Sequence, residues 1–214
     1  LNENFNDIAE EIDELKVKYH TSLSKFNVLS EMKEYNEGFA LAVKRLLEQA
    51  QEGTSIGGKD IGAVASLMKV PSKYEVAIEM ALGASVQNIV TKNEDDAKEL
   101  IAYLKNNRFG RVTLLPVTSV KEIFVSSLVE SKLGMKGVCG IASDLIEYDS
   151  KYEKVFNSLL GSTIIIDNME NAVEFSRATN YSSKVVTLEG DVLSPQGSMS
   201  GGSKKSNDSS LLSK

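Results

Sequence analysis

From Phe5 the apolar positions step by three and four residues: Phe5, Ile8, Ile12, Leu15, Tyr19, Phe26 and Leu29, with Ser22 as the polar exception. Glu, Asp, Lys and Asn fill the positions between them. A period of 3.5 draws a narrow apolar seam along a helix, as in a coiled coil, whereas a helix lying on its own domain carries a broader stripe. The stepping shifts to successive threes at Leu29, Met32 and Tyr35, a local overwinding, and resumes through Phe39, Ala42, Val43 and Leu46. No proline interrupts residues 1–52, so a helix of roughly 75 Å is expected at ~1.5 Å per residue. Such a seam needs a partner, and the chain holds no second heptad stretch. The partner is expected from another molecule or from further chain.

Beyond Gly53 the pattern changes. Residues 62–83 read GAVASLMKVPSKYEVAIEMALG and residues 140–161 read GIASDLIEYDSKYEKVFNSLLG. At an offset of 78, eight of 22 positions are identical, among them Gly62/Gly140, Lys73/Lys151, Tyr74/Tyr152 and Gly83/Gly161. The likeness continues with shorter spacing: SVQNIVTKNEDDA answers STIIIDNMENA, and Arg111-Val-Thr-Leu-Leu answers Lys184-Val-Val-Thr-Leu. Each copy predicts a helix ending at Leu-Gly, where glycine suits a left-handed cap. A β-branched strand follows, Asn88–Thr91 or Thr163–Asp167. Next comes a helix opening on acids, Glu94-Asp95-Asp96 or Asp167–Glu170, which favour the positive helix end. A second strand closes each unit, Val112–Leu115 or Val185–Leu188. Strand–helix–strand in this span implies a right-handed crossover and a parallel strand pair in each copy. The expected fold is mixed α/β, two pseudo-repeated lobes after a long coiled-coil helix. The domains fall at 1–52 (arm), 53–118 (lobe 1), 119–202 (lobe 2) and 203–214 (a flexible tail).

Composition narrows the chemistry. The 214 residues are 42% hydrophobic and 25% charged, ordinary for a globular chain and wrong for a disordered one. No apolar run reaches the length of a membrane span, and residues 1–20 lack a signal pattern. One cysteine, Cys139, excludes an internal disulfide and fits a reducing cytosol. With one histidine, His20, the chain has no His/Cys metal cluster and no Ser-His or Cys-His triad. Neither a metal nor a cofactor is expected. The formal charge of −6 is uneven: −5 over residues 1–52, −3 over 53–202, +2 over 203–214. An acidic chain does not advertise nucleic-acid binding, so any DNA contact must come from a local patch.

Four motifs remain. Gly53-Thr-Ser-Ile-Gly-Gly-Lys59-Asp60 nearly matches a phosphate loop, but Asp60 replaces the magnesium-binding hydroxyl and no strand precedes it, so nucleotide binding is rejected. Cys139, in GVCG, reads as a small residue in a tight place. Lys105, Arg108 and Arg111, with Phe109 and Asn106-Asn107 between them, form a basic cluster that either touches DNA phosphates or merely ends a helix. Gly190-Asp-Val-Leu-Ser-Pro-Gln-Gly197-Ser-Met199-Ser-Gly201-Gly202 sets three glycines in six residues after a strand, suggesting close backbone approach. A linker is the alternative, which Val192, Leu193 and Met199 argue against.

The heptad arm, GAVASLMKV…YEVAIEMALGASVQNIV, GRVTLLP at 110–116 and GDVLSPQGSMSGG at 190–202 together resemble the hinge domain of bacterial structural-maintenance-of-chromosomes (SMC) proteins. The family's pattern often has a further glycine where Gln196 stands. The resemblance spans about residues 53–202, with the arm as adjoining coiled coil. It implies a non-enzymatic, cytoplasmic, nucleoid-associated hinge that homodimerises at the tip of a long antiparallel coiled coil, serving chromosome condensation and segregation. The ATPase would lie in distant heads, and residues 203–214 would lead into the returning coil strand. Gly197, Met199, Gly201 and Gly202 are then the expected dimer-interface residues. Lys105, Arg108 and Arg111 are the expected weak, salt-dependent DNA contact. Two such lobes in a C2 pair can set lobe 1 of each chain on lobe 2 of the other and close a ring. The rival is a two-lobed small-ligand or enzymatic domain carried on a coil, which would need a convergent polar cluster.

Overall fold

The repeat in the sequence is also a repeat in space. A computed structural model describes residues 38–51, 56 and 60–202. The heptads of residues 1–37, His20, most of the near-miss phosphate loop and residues 203–214 lie outside the described residues. The chain enters through α1 (Gly38–Gln51). Copy one then runs β1 (Gly62–Ala63), a 3-10 turn, β2 (Met68–Lys69), a second 3-10 turn into α2 (Glu75–Leu82), β3 (Ile89–Thr91), α3 (Glu94–Asn107) and β4 (Leu114–Pro116). After a short α4 (Ser127–Glu130), copy two repeats the order: β5 (Val138–Ile141), β6 (Glu147–Tyr148), α5 (Glu153–Leu160), β7 (Thr163–Ile166), α6 (Met169–Ala178) and β8 (Lys184–Thr187). It then adds β9 (Val192–Leu193) and β10 (Met199–Ser200), which copy one lacks.

The expected parallel pairs are both present. β3 pairs β4 with Ile89 against Leu114, and β7 pairs β8 with Thr163 against Lys184. β1 and β5 each lie antiparallel on the other side of β3 and β7. The sheets are thus β1-β3-β4 and β10-β9-β8-β7-β5, and a two-stranded ribbon, β2-β6, takes one strand from each copy. Both crossover helices start on an asparagine cap: Asn93 Oδ1 accepts the Asp96 N–H at 2.9 Å, and Asn168 Oδ1 the Asn171 N–H at 3.0 Å. At the Leu-Gly ends the copies part. Gly83 has a positive φ of +53° but a ψ of −131°, outside the left-handed helical region expected of it, and Gly161 has an ordinary helical φ of −67°. Its need is space, because a Cβ there would collide with the Ile123 carbonyl oxygen.

The two lobes share their core. Val64, Ile78 and Val90 from copy one pack with Ala142, Phe156, Ile165 and Val186 from copy two in one buried cluster. Each lobe keeps a smaller outer core between its sheet and its crossover helix: Ile89 with Leu100 and Leu104 of α3, and Ile164 and Val185 with Phe175 of α6. The α2 and α5 helices lie between the sheets, with α3 and α6 outside. Polar ties cross the same divide. Lys184 on β8 donates to Ala81 O at 2.7 Å and Met80 O at 3.4 Å, the last-turn carbonyls of α2, and burial lowers its pKa. Lys151 pairs with Asp60 at 3.3 Å.

The arm's seam requires a correction. Over α1 it was expected to await a partner helix, yet Ala42, Val43, Leu46 and Ala50 are buried here, Leu46 completely. Val43 and Leu46 join the outer core of lobe 1 with Ile56, Leu100 and Leu104. Tyr103 on α3 also donates from Oη to Gln49 Oε1 at 3.0 Å. The first fourteen described residues are therefore bolted to lobe 1, because α3 and β3 offer an apolar surface where the helix arrives.

Candidate functional site

The glycine-rich run is a hairpin and not a linker. Ser194, Pro195, Gln196 and Gly197 make its turn, with the Gly197 N–H donating to Ser194 O at 2.8 Å and Ser194 N–H to Ser198 O at 2.9 Å. Proline pre-sets the second turn position, and Gly197 at φ +82° takes the left-handed one. β10 then pairs antiparallel with β9, Met199 against Leu193 and Ser200 against Val192. Gly197 and Gly202 (φ +142°) have nothing within 4 Å of a built Cβ. Within the protomer their requirement is backbone conformation. Gly201 differs, because its Cβ would meet the Asp191 carboxylate, which Thr187 Oγ1 holds at 3.1 Å.

This hairpin ends the five-stranded sheet. Among the described residues nothing pairs with the outer side of β10, and Met199 is 52% exposed. The ladder alternates, so with Ser194 bonded to Ser198 the N–H and C=O of Met199 point outward. The other sheet ends likewise at β4. Ile89 N–H bonds Thr113 O and Val117 N–H bonds Thr91 O, so Leu114 turns its backbone groups outward, and Pro116 contributes only an acceptor. A groove of about 310 Å³ runs beside β10, between Val76 and Met80 of α2 and the glycines 190, 201 and 202. The four expected interface residues thus lie together on one open, exposed edge. The β4 edge went unread because an edge is a property of the sheet, not of the strand.

The basic cluster also forms a surface. Lys105 sits in the last turn of α3, and Arg108 ends it in the left-handed conformation (φ 55°). Lys105, Arg108 and Arg111 are all exposed. Sequence reasoning missed Arg45. It stands on α1, 5.4 Å from the Phe109 ring centroid, while Tyr103 meets the same ring edge-on at 5.9 Å. Only the docking of α1 brings this fourth cation to the patch.

The rival reading needs a convergent site. The inter-lobe cleft at β2-β6 has a volume near 470 Å³, lined by Lys69, Glu147, Tyr148, Lys151 and Tyr152 among others. Its charges oppose one another: Lys69 faces Glu147 in register, and Lys151 is held by Asp60. Tyr148 stacks on Phe156 at 4.5 Å, and burial pushes its phenol upward. Cys139 on β5 is half-buried, and desolvation raises its thiol. Glu94 is held low by the Thr118 hydroxyl, a capping arrangement at the head of α3. Among the described residues no cluster of His, Cys, Asp or Glu could hold a metal ion, and no helix is long and apolar enough to cross a membrane.

Comparison with known proteins points to one family. The family described as "SMC proteins Flexible Hinge Domain" matches residues 58–176. The chromosome partition protein Smc of Desulfitobacterium hafniense is 37% identical over 202 residues, 94% of this chain and 17% of that protein. The Bacillus subtilis protein of the same name is 39% identical over 190 residues, 88% and 16%. The chain thus spans about a sixth of the length of these relatives. Among solved structures, an asymmetric dimer of the Geobacillus stearothermophilus SMC hinge domain superposes with TM-score 0.73 at 37% identity, covering 86% of this chain and 73% of that one. The Pyrococcus furiosus Smc hinge domain with an extended coiled coil gives 0.64 at 33%, covering 80% and 58%.

Proposed function

The chain belongs to the SMC hinge family, and from that premise we propose that it joins two copies of a chromosome partition protein at the tips of their coiled-coil arms. The observation that supports this reading is the pair of open sheet edges. In lobe 2 the strand β8 is covered by β9 and β10, whereas among the described residues its counterpart in lobe 1, β4, has no such cover. A second copy supplies it: β10 of one protomer adds to β4 of the other, twice by symmetry, and the ring closes. Gly197, Met199, Gly201 and Gly202 lie in or beside that contact, the glycines shaping the hairpin so that its edge is bare. Residues 1–52 serve as the outgoing arm, 53–118 and 119–202 as the lobes, and 203–214 as the start of the returning strand. The hinge itself is not catalytic; ATP hydrolysis belongs to head domains elsewhere in the whole protein, which works in the cytoplasm at the nucleoid.

Sedimentation tests this. The wild type should run as a dimer at micromolar concentration. Met199→Pro deletes the outward N–H while leaving the β9–β10 ladder intact, and should give a folded monomer by circular dichroism. A monomeric wild type, or an undisturbed Met199→Pro dimer, overturns the reading.

Arg45 beside Phe109 favours a second role for Lys105, Arg108 and Arg111 as a weak DNA contact. The net charge of −6 opposes tight binding. Three to four phosphate contacts give a log–log salt slope of about −3 to −4. Binding that ignores salt, or survives charge reversal at all four positions, excludes this patch.

A further inference from the structure

Two apolar side chains, Ile101 (43% exposed) on α3 and Met199 (52% exposed) on β10, are left largely open among the described residues. Their positions are related. Met199 stands opposite Leu193, so both side chains lie on one face of the sheet, and Leu193 belongs to the outer core under α6. Met199 therefore prolongs that apolar face past β9. On lobe 1, Leu114 lies on the corresponding face, in the outer core under α3.

Backbone parity links the two. Met199 and Leu114 are the residues whose N–H and C=O point outward from their edges. When two such residues face each other in an antiparallel ladder, their side chains fall on the same side of the joined sheet. Pairing β10 with the partner's β4 in this sense makes the α6 layer of one protomer continuous with the α3 layer of the other. Met199 then stands at the seam between those helices.

α3 presents Ile101 to that seam. Tyr103, two residues on, reaches back to Gln49 of α1. At 3.6 residues per turn Ile101 lies roughly 160° around the helix from Tyr103, on the flank away from α1. Glu94, seven residues earlier on that same flank, accepts a hydrogen bond from Thr118 just past β4, so the flank lies on the β4 side of the sheet.

From this geometry, and resting on the dimer reading above, we infer that Met199 of each protomer packs against Ile101 of the other, an apolar clasp on the helix side of the strand junction that selects antiparallel pairing. A parallel junction puts Met199 on the opposite face, where no Ile101 waits. The occupant of both patches is a second copy of this chain.

The test uses the whole chain with Cys139→Ser as background. Ile101→Cys with Met199→Cys should give interprotomer cross-links with a short bismaleimide, and neither single variant should. Ile101→Ala and Met199→Ala should each weaken association about tenfold, and the double variant should lose less than the two effects multiplied. Both positions are exposed, so circular dichroism should be unchanged. A wild-type dimer with no cross-link and unaltered affinity in both alanine variants overturns the clasp and leaves dimerisation standing. Cross-linking by Ile101→Cys alone also overturns it, since it sets the two α3 helices against each other. A monomeric wild type removes the dimer reading and the clasp with it.

Discussion

Leu46→Ala separates a bolted arm from a free one. Leu46 is fully buried, with Ile56 (3% exposed), Ile89 (0%), Leu100 (0%) and Leu104 (4%) in the same cluster. Leucine-to-alanine changes in such surroundings cost about 2–5 kcal/mol, depending on how far the site collapses. α1 lies at the outer side of lobe 1 and can settle part-way inward, so about 3 kcal/mol is expected. Were residues 38–51 only the root of a projecting coil, the change would cost a few tenths of a kcal/mol, since leucine and alanine differ little in helix propensity. The two outcomes differ by roughly a hundredfold in the unfolding equilibrium. Urea denaturation followed by circular dichroism measures it, at one protomer concentration because association adds to apparent stability. The midpoint should fall with the slope unchanged, and melting should drop by about 6–12 °C. Lys44→Ala, two residues away on the opposite, exposed side of the helix, should stay within about 0.5 kcal/mol. A loss below about 1 kcal/mol for Leu46→Ala would refute the docking of α1.

Lys184→Met should cost about 1–2 kcal/mol by removing charged hydrogen bonds from the end of α2. Burial lowers the pKa of Lys184 below 10.5, so the folded chain sheds this proton first, and wild type should gain on the variant as pH rises towards that value; a flat difference contradicts the desolvation. Tyr148 runs the other way: burial raises it above 10.0, so its contribution, intact below pH 10, is lost as pH climbs through the folded value. Denaturation across the alkaline range should show that loss in wild type and not in Tyr148→Phe. Arg108→Gly should stabilise by about 1 kcal/mol by relieving a left-handed arginine, while weakening any DNA binding measured by anisotropy. Leucine at both Gly201 and Gly202 should weaken dimerisation more than a hundredfold by sedimentation, equivalent to about 3 kcal/mol. A dimer of unchanged strength would make those glycines internal to the hairpin.

What depends on near neighbours was legible along the chain. The offset of 78 announced two copies, and within each the alternation of β-branched runs with helices fronted by Asn and acids specified parallel strand pairs, since caps and crossovers are decided within about thirty residues. The hydrophobic run through Ala42, Val43 and Leu46 was legible too, but only as a surface in need of cover. An apolar stripe records that water must be excluded, and it does not record by what. Lobe 1 provides the cover, through Leu100 and Leu104 more than fifty residues away, and the same docking carries Arg45 to Phe109. The repeat announced two lobes and was silent on how they meet. Tertiary packing merges them, since short helices such as α2 and α5 bury too little alone and gain by sharing one core. The proposed interface is half legible in the chain: glycines mark the hairpin, whereas the bare edges of β4 and β10, on which the proposal rests, exist only once strand order is set. Strand order is chosen by the whole chain, where each strand takes the neighbour that best hides its faces.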